Sequence, residues 1–522
     1  MKKLLYQIHR WVGVGLALFM ALWFASGLTI LYAPPTVLGA AERWAGREPL
    51  RPEAGWLSLG EAWQRARPGE SADRIAQARL VRQADAPQWL VETVDGRLQA
   101  LSAVDGRLHT TDGAEALLIA EAWVRRSGDD VPTSLRHLDL GAQDSASRNL
   151  GPFRPLHRIA VDDGQGRELL VSARTGEVVR DSTRLDRAMY WAGNYLHLLR
   201  PLETIGLGAW RRDVLMWLAC LAFVGSVTGL VIGWQRWRPG WRGRPTYSQG
   251  RHHPYRDAWN TWHFWTGLIG GTAALLWSFS GFFNGNPFQV FGAATPAKAQ
   301  TARYLGPQVP PEMLAWRPAP PALPGGAADT VELAWHRLGD RATLLAVQRD
   351  GRREAVQGSG FDDATLRRAA ERFAGPGTPI AAVDLLREHD AYYYARHDRN
   401  AAERPLPALR VRLDDSAGTQ LYVDPLDGRL VLRQDTRRRV YRWLWSALHH
   451  WDVGWLAHRP LWDAWMLTWV VFGLVLATSA VVLGWQRVRR TVAPQRKAGK
   501  ATAKPAPVRS GVSGVSPSRH RA

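Results

Sequence analysis

Two histidines that each open an uncharged, apolar run constrain this 522-residue chain more than any other feature. His9-Arg10-Trp11-Val12-Gly13 leads into the run ending at Tyr32, and His263-Phe264-Trp265-Thr266-Gly267 leads into the run ending at Phe283. In both copies a Trp lies 14 residues after the His (Trp23, Trp277), and a Ser-Gly pair follows at 17 and 18 residues (Ser26-Gly27, Ser280-Gly281). Runs of this length cross the roughly 30 Å hydrocarbon core of a bilayer as helices. Each therefore carries an imidazole at a membrane edge, where an ionisable group is costly and marks a functional position.

Two more apolar runs complete a four-span pattern. Trp11–Tyr32, Val214–Trp234, Phe264–Phe283 and Trp465–Trp485 are the expected spans. Charge sets their direction. Residues 1–10, 235–260 and 486–522 hold 19 Lys/Arg against one acid, which is eighteen of the net +20. The basic excess is thus a positive-inside signal rather than a polyanion-binding face, and no nucleic acid partner is expected. The first span is long for a cleaved signal peptide, and its internal copy cannot be cleaved off. The expected organisation is residues 1–32 for the N-terminal cytoplasmic end and first span, 33–213 for a first outer domain, 214–234 for the second span and 235–260 for a basic cytoplasmic loop. It continues with 261–283 for the third span, 284–464 for a second outer domain, 465–485 for the fourth span and 486–522 for a disordered basic cytoplasmic tail. Both termini are then cytoplasmic and both large domains lie outside, which in a Gram-negative cell is the periplasm.

The repeat runs beyond the spans. Val161-Asp162-Asp163 matches Leu413-Asp414-Asp415, Gly176 matches Gly428, and Leu196-His197 matches Leu448-His449, all at an offset of 252. Gly233-Trp234-Gln235-Arg236 returns as Gly484-Trp485-Gln486-Arg487 at an offset of 251. Two copies of span, outer domain, span give two parallel repeats related by an axis along the membrane normal. Each outer domain reads as α+β. Helical periodicity covers Leu57–Arg65, Ala114–Arg126, Thr330–Leu338 and Ala364–Phe373. Strands flank turns at Asp95-Gly96, Thr175-Gly176, Asp350-Gly351 and Asp427-Gly428, which gives four helix-plus-hairpin units, and Pro307–Pro324 reads as a linker. Asp162-Asp163 and Asp414-Asp415 read as turn residues.

Val-Ser-Ala-Arg-Thr-Gly-Glu-Val-Val (171–179) and Tyr-Val-Asp-Pro-Leu-Asp-Gly-Arg-Leu (422–430) look like PepSY units. Together with His-Arg-Trp-Val-Gly, Asn-Tyr-Leu-His and Leu-His-His-Trp-Asp, they make the chain resemble the PepSY-associated transmembrane proteins of bacterial inner membranes over about residues 1–490. The resemblance implies a place in iron uptake, since some members are b-haem-containing reductases of ferric siderophores. It implies two haem b groups, a ferric siderophore or other iron chelate as acceptor, and a quinol or flavoprotein as electron donor. The contrasting expectation is a non-enzymatic PepSY membrane protein that binds and regulates peptides or proteases.

Axial ligation of a six-coordinate haem takes two imidazoles on opposite faces. Among the fifteen histidines, His9 and His263 sit at repeat-equivalent positions, as do His197 and His449. These four are the expected axial ligands of haem iron, one pair at the cytoplasmic end and one at the outer surface. His157 is an alternative to His197, His450 and His458 to His449, and His252 or His253 to the first pair. Gly13, Ser26, Gly27, Gly267, Ser280 and Gly281 are expected to let helices or a flat macrocycle approach closely. The Trp-rich end (Trp443, Trp445, Trp451, Trp455, Trp462, Trp465) reads as an interfacial belt. Glu388-His389-Asp390, Tyr392–Tyr394 and Arg396-His397-Asp398 form either a solvated loop or a docking surface for a chelate. No Walker loop, dinucleotide fingerprint, HExxH or nucleophile elbow is present, and Cys220, the single cysteine, supports neither a disulfide framework nor a thiolate metal site.

Overall fold

The computed structural model describes every residue except 35–36, 128–133, 142–146, 242, 319–328, 397–401 and 493–522. Among the described residues, four helices are long and apolar enough to span a bilayer. They are TM1 (Lys2–Tyr32), TM2 (Arg211–Arg236), TM3 (Ala258–Asn284) and TM4 (Leu461–Val492). Each outruns the apolar stretch visible in the sequence, because polar flanks such as Asp257, whose carboxylate caps the Asn260 amide, continue the helix outside the hydrocarbon. TM4 also takes in residues 486–492, which the sequence assigned to the tail; residues 493–522 lie outside the described residues. TM1 packs on TM2 and TM4, and TM3 packs on the same two neighbours, so the helices form a ring. Small residues set the spacing. A Cβ on Gly270 would lie 2.8 Å from Phe472 Cβ, and one on Gly271 would lie 3.0 Å from Leu230.

Among the described residues, the chain between the spans builds fifteen strands. β1 (Ile75–Gln83), β2 (Ala86–Thr93), β3 (Leu98–Ser102) and β4 (Leu108–His109) come first, followed by β5 (Leu135–Leu140), β6 (Leu156–Val161), β7 (Arg167–Ser172) and β8 (Val178–Ser182). After TM3 come β9 (Thr330–Leu338), β10 (Arg341–Gln348) and β11 (Arg353–Ala355), then β12 (Ile380–Leu386), β13 (Ala408–Leu413), β14 (Gln420–Val423) and β15 (Leu430–Gln434). β5–β8 and β12–β15 are separate four-stranded antiparallel sheets in sequence order. The remaining strands join across the two repeats into one seven-stranded sheet, β11-β10-β9-β1-β2-β3-β4, with β1 and β9 antiparallel at its centre.

Thr330–Leu338 is therefore a strand and not the helix its periodicity suggested. Eight of its nine residues are buried, since β9 has strands on both edges and is covered on both faces. A strand buried this way shows no clean alternation, and a short apolar run of that kind is indistinguishable from a helix by pattern alone. The helices Leu59–Ala66, Gly113–Arg126 and Asp363–Ala374 do form where periodicity placed them. Within the proposed linker 307–324, Pro311–Ala315 is a helical turn whose Met313 is fully buried in the core beneath the long sheet; residues 319–324 lie outside the described residues.

The repeated glycines are where the small sheets meet the long one. A Cβ on Gly176 (φ +65) would sit 2.2 Å from Gln83 Oε1 at the end of β1, and one on Gly428 (φ +66) would sit 2.5 Å from Leu338 Cδ1 at the end of β9. Both turns need left-handed backbone and bare approach, so glycine serves twice over. A buried ion cluster clamps the first of these junctions. Arg79 on β1 donates to both oxygens of Glu177 at 3.0 and 3.1 Å, and Arg47 bridges Glu177 and Glu332.

Candidate functional site

The ring of helices encloses two cavities, one toward each end. The first, about 780 Å³, is bordered by His9 and His263 and by the guanidinium-bearing Arg10, Arg236, Arg487 and Arg490. The second, about 590 Å³, lies at the end that faces the sheets and is bordered by His197, His449, Arg211 and Arg212. Both fall within the roughly 300–1,000 Å³ of ordinary ligand sites. We call them the basic-end and sheet-end cavities.

The structure brings the four repeat-equivalent histidines together as two pairs. The ring centres of His9 and His263 are 6.3 Å apart, and those of His197 and His449 are also 6.3 Å apart. His9 and His263 come directly from TM1 and TM3. His197 and His449 follow short π-helical segments, Trp191–Tyr195 and Arg442–Ala447, at equivalent places in the two repeats. Such widened turns re-aim the side chains that follow them and are frequent at functional sites. Two residues after each histidine the backbone turns left-handed at a bulky residue, Leu199 (φ 49) and Trp451 (φ 51). Each costs on the order of 1–3 kcal/mol, strain of the kind that clusters at functional sites.

Every one of the four rings is anchored through Nδ1. His9 Nδ1 lies 3.1 Å from the Gly225 carbonyl, which can only accept. His197 Nδ1 lies 3.1 Å from Ser26 Oγ, His449 Nδ1 3.0 Å from Ser280 Oγ, and His263 Nδ1 3.2 Å from Ser479 Oγ. Each of these hydroxyls spends its own hydrogen on a helix carbonyl, at 2.7 Å to Leu22, 2.7 Å to Leu276 and 2.8 Å to Leu476. The serines must then accept from Nδ1–H. That fixes the tautomer, and Nε2 keeps its lone pair with no hydrogen-bond partner among the described residues.

The rest of the repeated motif supports the same rings. Trp23 Nε1 donates to the His197 carbonyl at 3.0 Å, and Trp277 Nε1 donates to the His449 carbonyl at 2.8 Å. The Trp and Ser that follow His9 and His263 in sequence thus serve the histidines at the opposite end of the bundle. Gly13 and Gly267 border the basic-end cavity, Gly27 and Gly281 the sheet-end one, rather than close helix contacts. Residues not singled out from sequence complete the set. Gly229 leaves room for His9, because a Cβ there would lie 2.7 Å from its Cε1. Thr228, one repeat offset of 251 before Ser479, approaches His9 Nδ1 at 3.4 Å. That matching hydroxyl pair was the available signal.

More than half of the chain, residues 6–380, matches the model of the family described as the PepSY-associated TM region. The chain belongs to the PepSY-associated transmembrane family. It is a multi-pass membrane protein with four apolar helices and separate β-sheet domains. The PepSY match takes in His9, His197 and His263, and His449 follows it. None of the curated proteins matches the chain.

Of the alternative histidines in this PepSY-associated chain, His450 borders the sheet-end cavity, beside His449. His157 is buried in β6, where Nε2 faces the Thr111 carbonyl at 2.9 Å and Nδ1 faces His137 at 2.9 Å. His252 faces the Arg238 carbonyl, His253 packs between Tyr255 and Phe264, and His458 is exposed. The tryptophans divide. Trp445 stacks on His449 at 4.2 Å and Trp462 is buried with its indole on the His450 carbonyl, whereas Trp443 and Trp455 are exposed. The Glu388–Tyr394 stretch is a packed loop: Asp390 accepts from the Tyr392 and Tyr393 amides, and fully buried Tyr393 stacks on Tyr422 at 5.1 Å. His397 and Asp398 lie outside the described residues. Asp163 and Asp415 accept amides of their own turns.

Proposed function

We propose that the protein is an inner-membrane, di-haem b electron-transfer protein that reduces a periplasmic acceptor, ferric siderophore iron above all. The observation that carries this reading is the pairing of four imidazoles with their Nδ1 atoms committed and their Nε2 atoms free. The ring centres of each pair stand 6.3 Å apart, close to the roughly 6.4 Å that two imidazoles would need to hold one metal ion between them at bonds of about 2 Å. Among the described residues no group of three or more His, Cys, Asp or Glu side chains is placed to hold a metal ion, so a metal held by one of these pairs would need further ligands from outside the chain. Both cavities are large enough to admit a flat cofactor between the rings, and their arginines suit its propionates.

Bound haem supplies one-electron Fe(III)/Fe(II) chemistry. The chain contributes the rest. His9 with His263 and His197 with His449 would hold the iron, and Ser26, Ser280, Ser479 and the Gly225 carbonyl would keep each ring in the ligating tautomer. The basic segments keep both termini and the basic-end cavity cytoplasmic, so the sheet-end cavity faces the periplasm. Electrons then enter from a quinol or flavoprotein and leave to the chelate. Hard oxygen donors favour Fe(III), so reduction loosens the chelate's hold.

The test uses reduced protein and ferric chelate on the outer side. In His449→Ala the basic-end haem should still be reduced but should be reoxidised by chelate far more slowly than in the parent. Equal reoxidation rates, with the sheet-end haem confirmed absent, would rule out that haem as the exit.

A further inference from the structure

The two cavities share a wall. Met20, Phe24 and Ala274 border both. Of these, Phe24 supplies the only π system. Its side chain is buried against Ala274 and Ala477, small residues of TM3 and TM4. Its ring meets Trp277 edge-on at 5.7 Å, and Trp277 in turn donates to the carbonyl of His449. Continuous packing therefore runs from the basic-end cavity through Phe24 and Trp277 to the backbone of a sheet-end histidine.

The sequence repeat is broken at this point and the break is matched on the facing helix. At the offset of 254, the counterpart of Phe24 is Ser278, whose hydroxyl turns back to the Ala274 carbonyl at 2.7 Å. Opposite Phe24 stands Gly473. A Cβ there would lie 2.1 Å from Phe24 Cε1, so the ring occupies a slot that only glycine leaves open. The counterpart of Gly473, at the offset of 251, is Ala222. Of the two matched positions, 24 and 278, only the one in the first repeat carries a ring.

We propose that Phe24 is the bridge through which one electron passes between the two haems. This rests on the di-haem reading above. One electron leaves the basic-end iron, which goes from ferrous to ferric, and arrives at the sheet-end iron, which goes from ferric to ferrous; no bond forms or breaks and no proton moves. Electronic coupling falls more steeply across empty space or loosely packed alkyl groups than across a packed aromatic ring. Phe24 fills the gap with delocalised electrons, and Gly473 fixes the ring in place.

The experiment compares the parent, Phe24→Leu, Phe24→Tyr and Gly473→Ala. Each is measured for haem per chain, for the visible spectrum and midpoint potential of each haem, and for the inter-haem transfer rate after flash reduction. Phe24→Leu keeps the apolar volume and removes the π system. It should retain two haems with parental spectra and potentials while the transfer rate falls severalfold. Gly473→Ala, which displaces the ring, should slow transfer in the same way, and Phe24→Tyr should stay near the parental rate. A parental rate in fully loaded Phe24→Leu would overturn the bridge. Loss of a haem from Phe24→Leu would also overturn it, because the ring would then be needed to retain haem rather than to couple one haem to the other. A parent that carries no second haem would overturn the di-haem reading itself and this inference with it, an outcome distinct from the other two.

Discussion

Ser26 holds His197: its hydroxyl donates to the Leu22 carbonyl and accepts the imidazole Nδ1–H at 3.1 Å, as Ser280 does for His449 at 3.0 Å. Partners of this kind typically change metal affinity by about 10–100-fold. Ser26→Ala should therefore weaken haem retention at the sheet-end site by that order, read as haem lost to apomyoglobin over time. Ser280→Ala should match it. The basic-end haem should be unaffected in both.

Gly229→Ala gives a selective perturbation of the other site. The new methyl would lie 2.7 Å from His9 Cε1 and must push the ring aside. The expected outcome is loss of the basic-end haem signal with the sheet-end signal intact. Gly15→Ala is the control, since Gly15 does not border the cavity and nothing lies within 4 Å of a Cβ there.

Glu177 sets the acid stability of the junction between sheets. Burial is the largest single influence and raises its pKa, but Arg79, Arg47 and Arg43 together outweigh it and hold the carboxyl well below the usual carboxylate range. A depressed folded-state pKa contributes stability above the unfolded value of about 4.3 and loses it as pH falls further. Acid unfolding of the sheet domains should thus begin below that value. Glu177→Gln strips two buried arginines of a shared partner and should cost about 3–5 kcal/mol at neutral pH. It should also flatten the acid limb, as followed by circular dichroism from pH 7 to 2.

The histidine pairs could be read from the sequence because the bilayer makes an imaginable alternative expensive: a repeated His at the edge of an apolar run has few structural excuses. The roles of the residues between them could not. Ser26 and Ser280 read as small residues for close approach, and only the structure shows them accepting from histidines 171 and 169 positions away. The long sheet was hidden for a related reason. β1 and β9 pair across repeats more than 250 residues apart, and that pairing is made by backbone groups that every residue shares. Thr330–Leu338, buried on both faces, lost the alternation that would have marked it as a strand.

Topology is the next point of test. Reporter fusions at residues 120 and 370, which lie in helices of the sheet domains, should report the periplasm, and a fusion at residue 245, between TM2 and TM3, should report the cytoplasm. Any one of these reversed would invert the direction of electron flow proposed above.

The haem-to-chain ratio tests the central claim most directly. Protein purified from haem-replete cells should carry two low-spin haems per chain by pyridine haemochrome assay. His9→Ala or His263→Ala should leave one, with the sheet-end spectrum; His197→Ala or His449→Ala should leave one, with the basic-end spectrum. A folded, colourless parent, or a ratio that all four substitutions leave at two, would contradict the account.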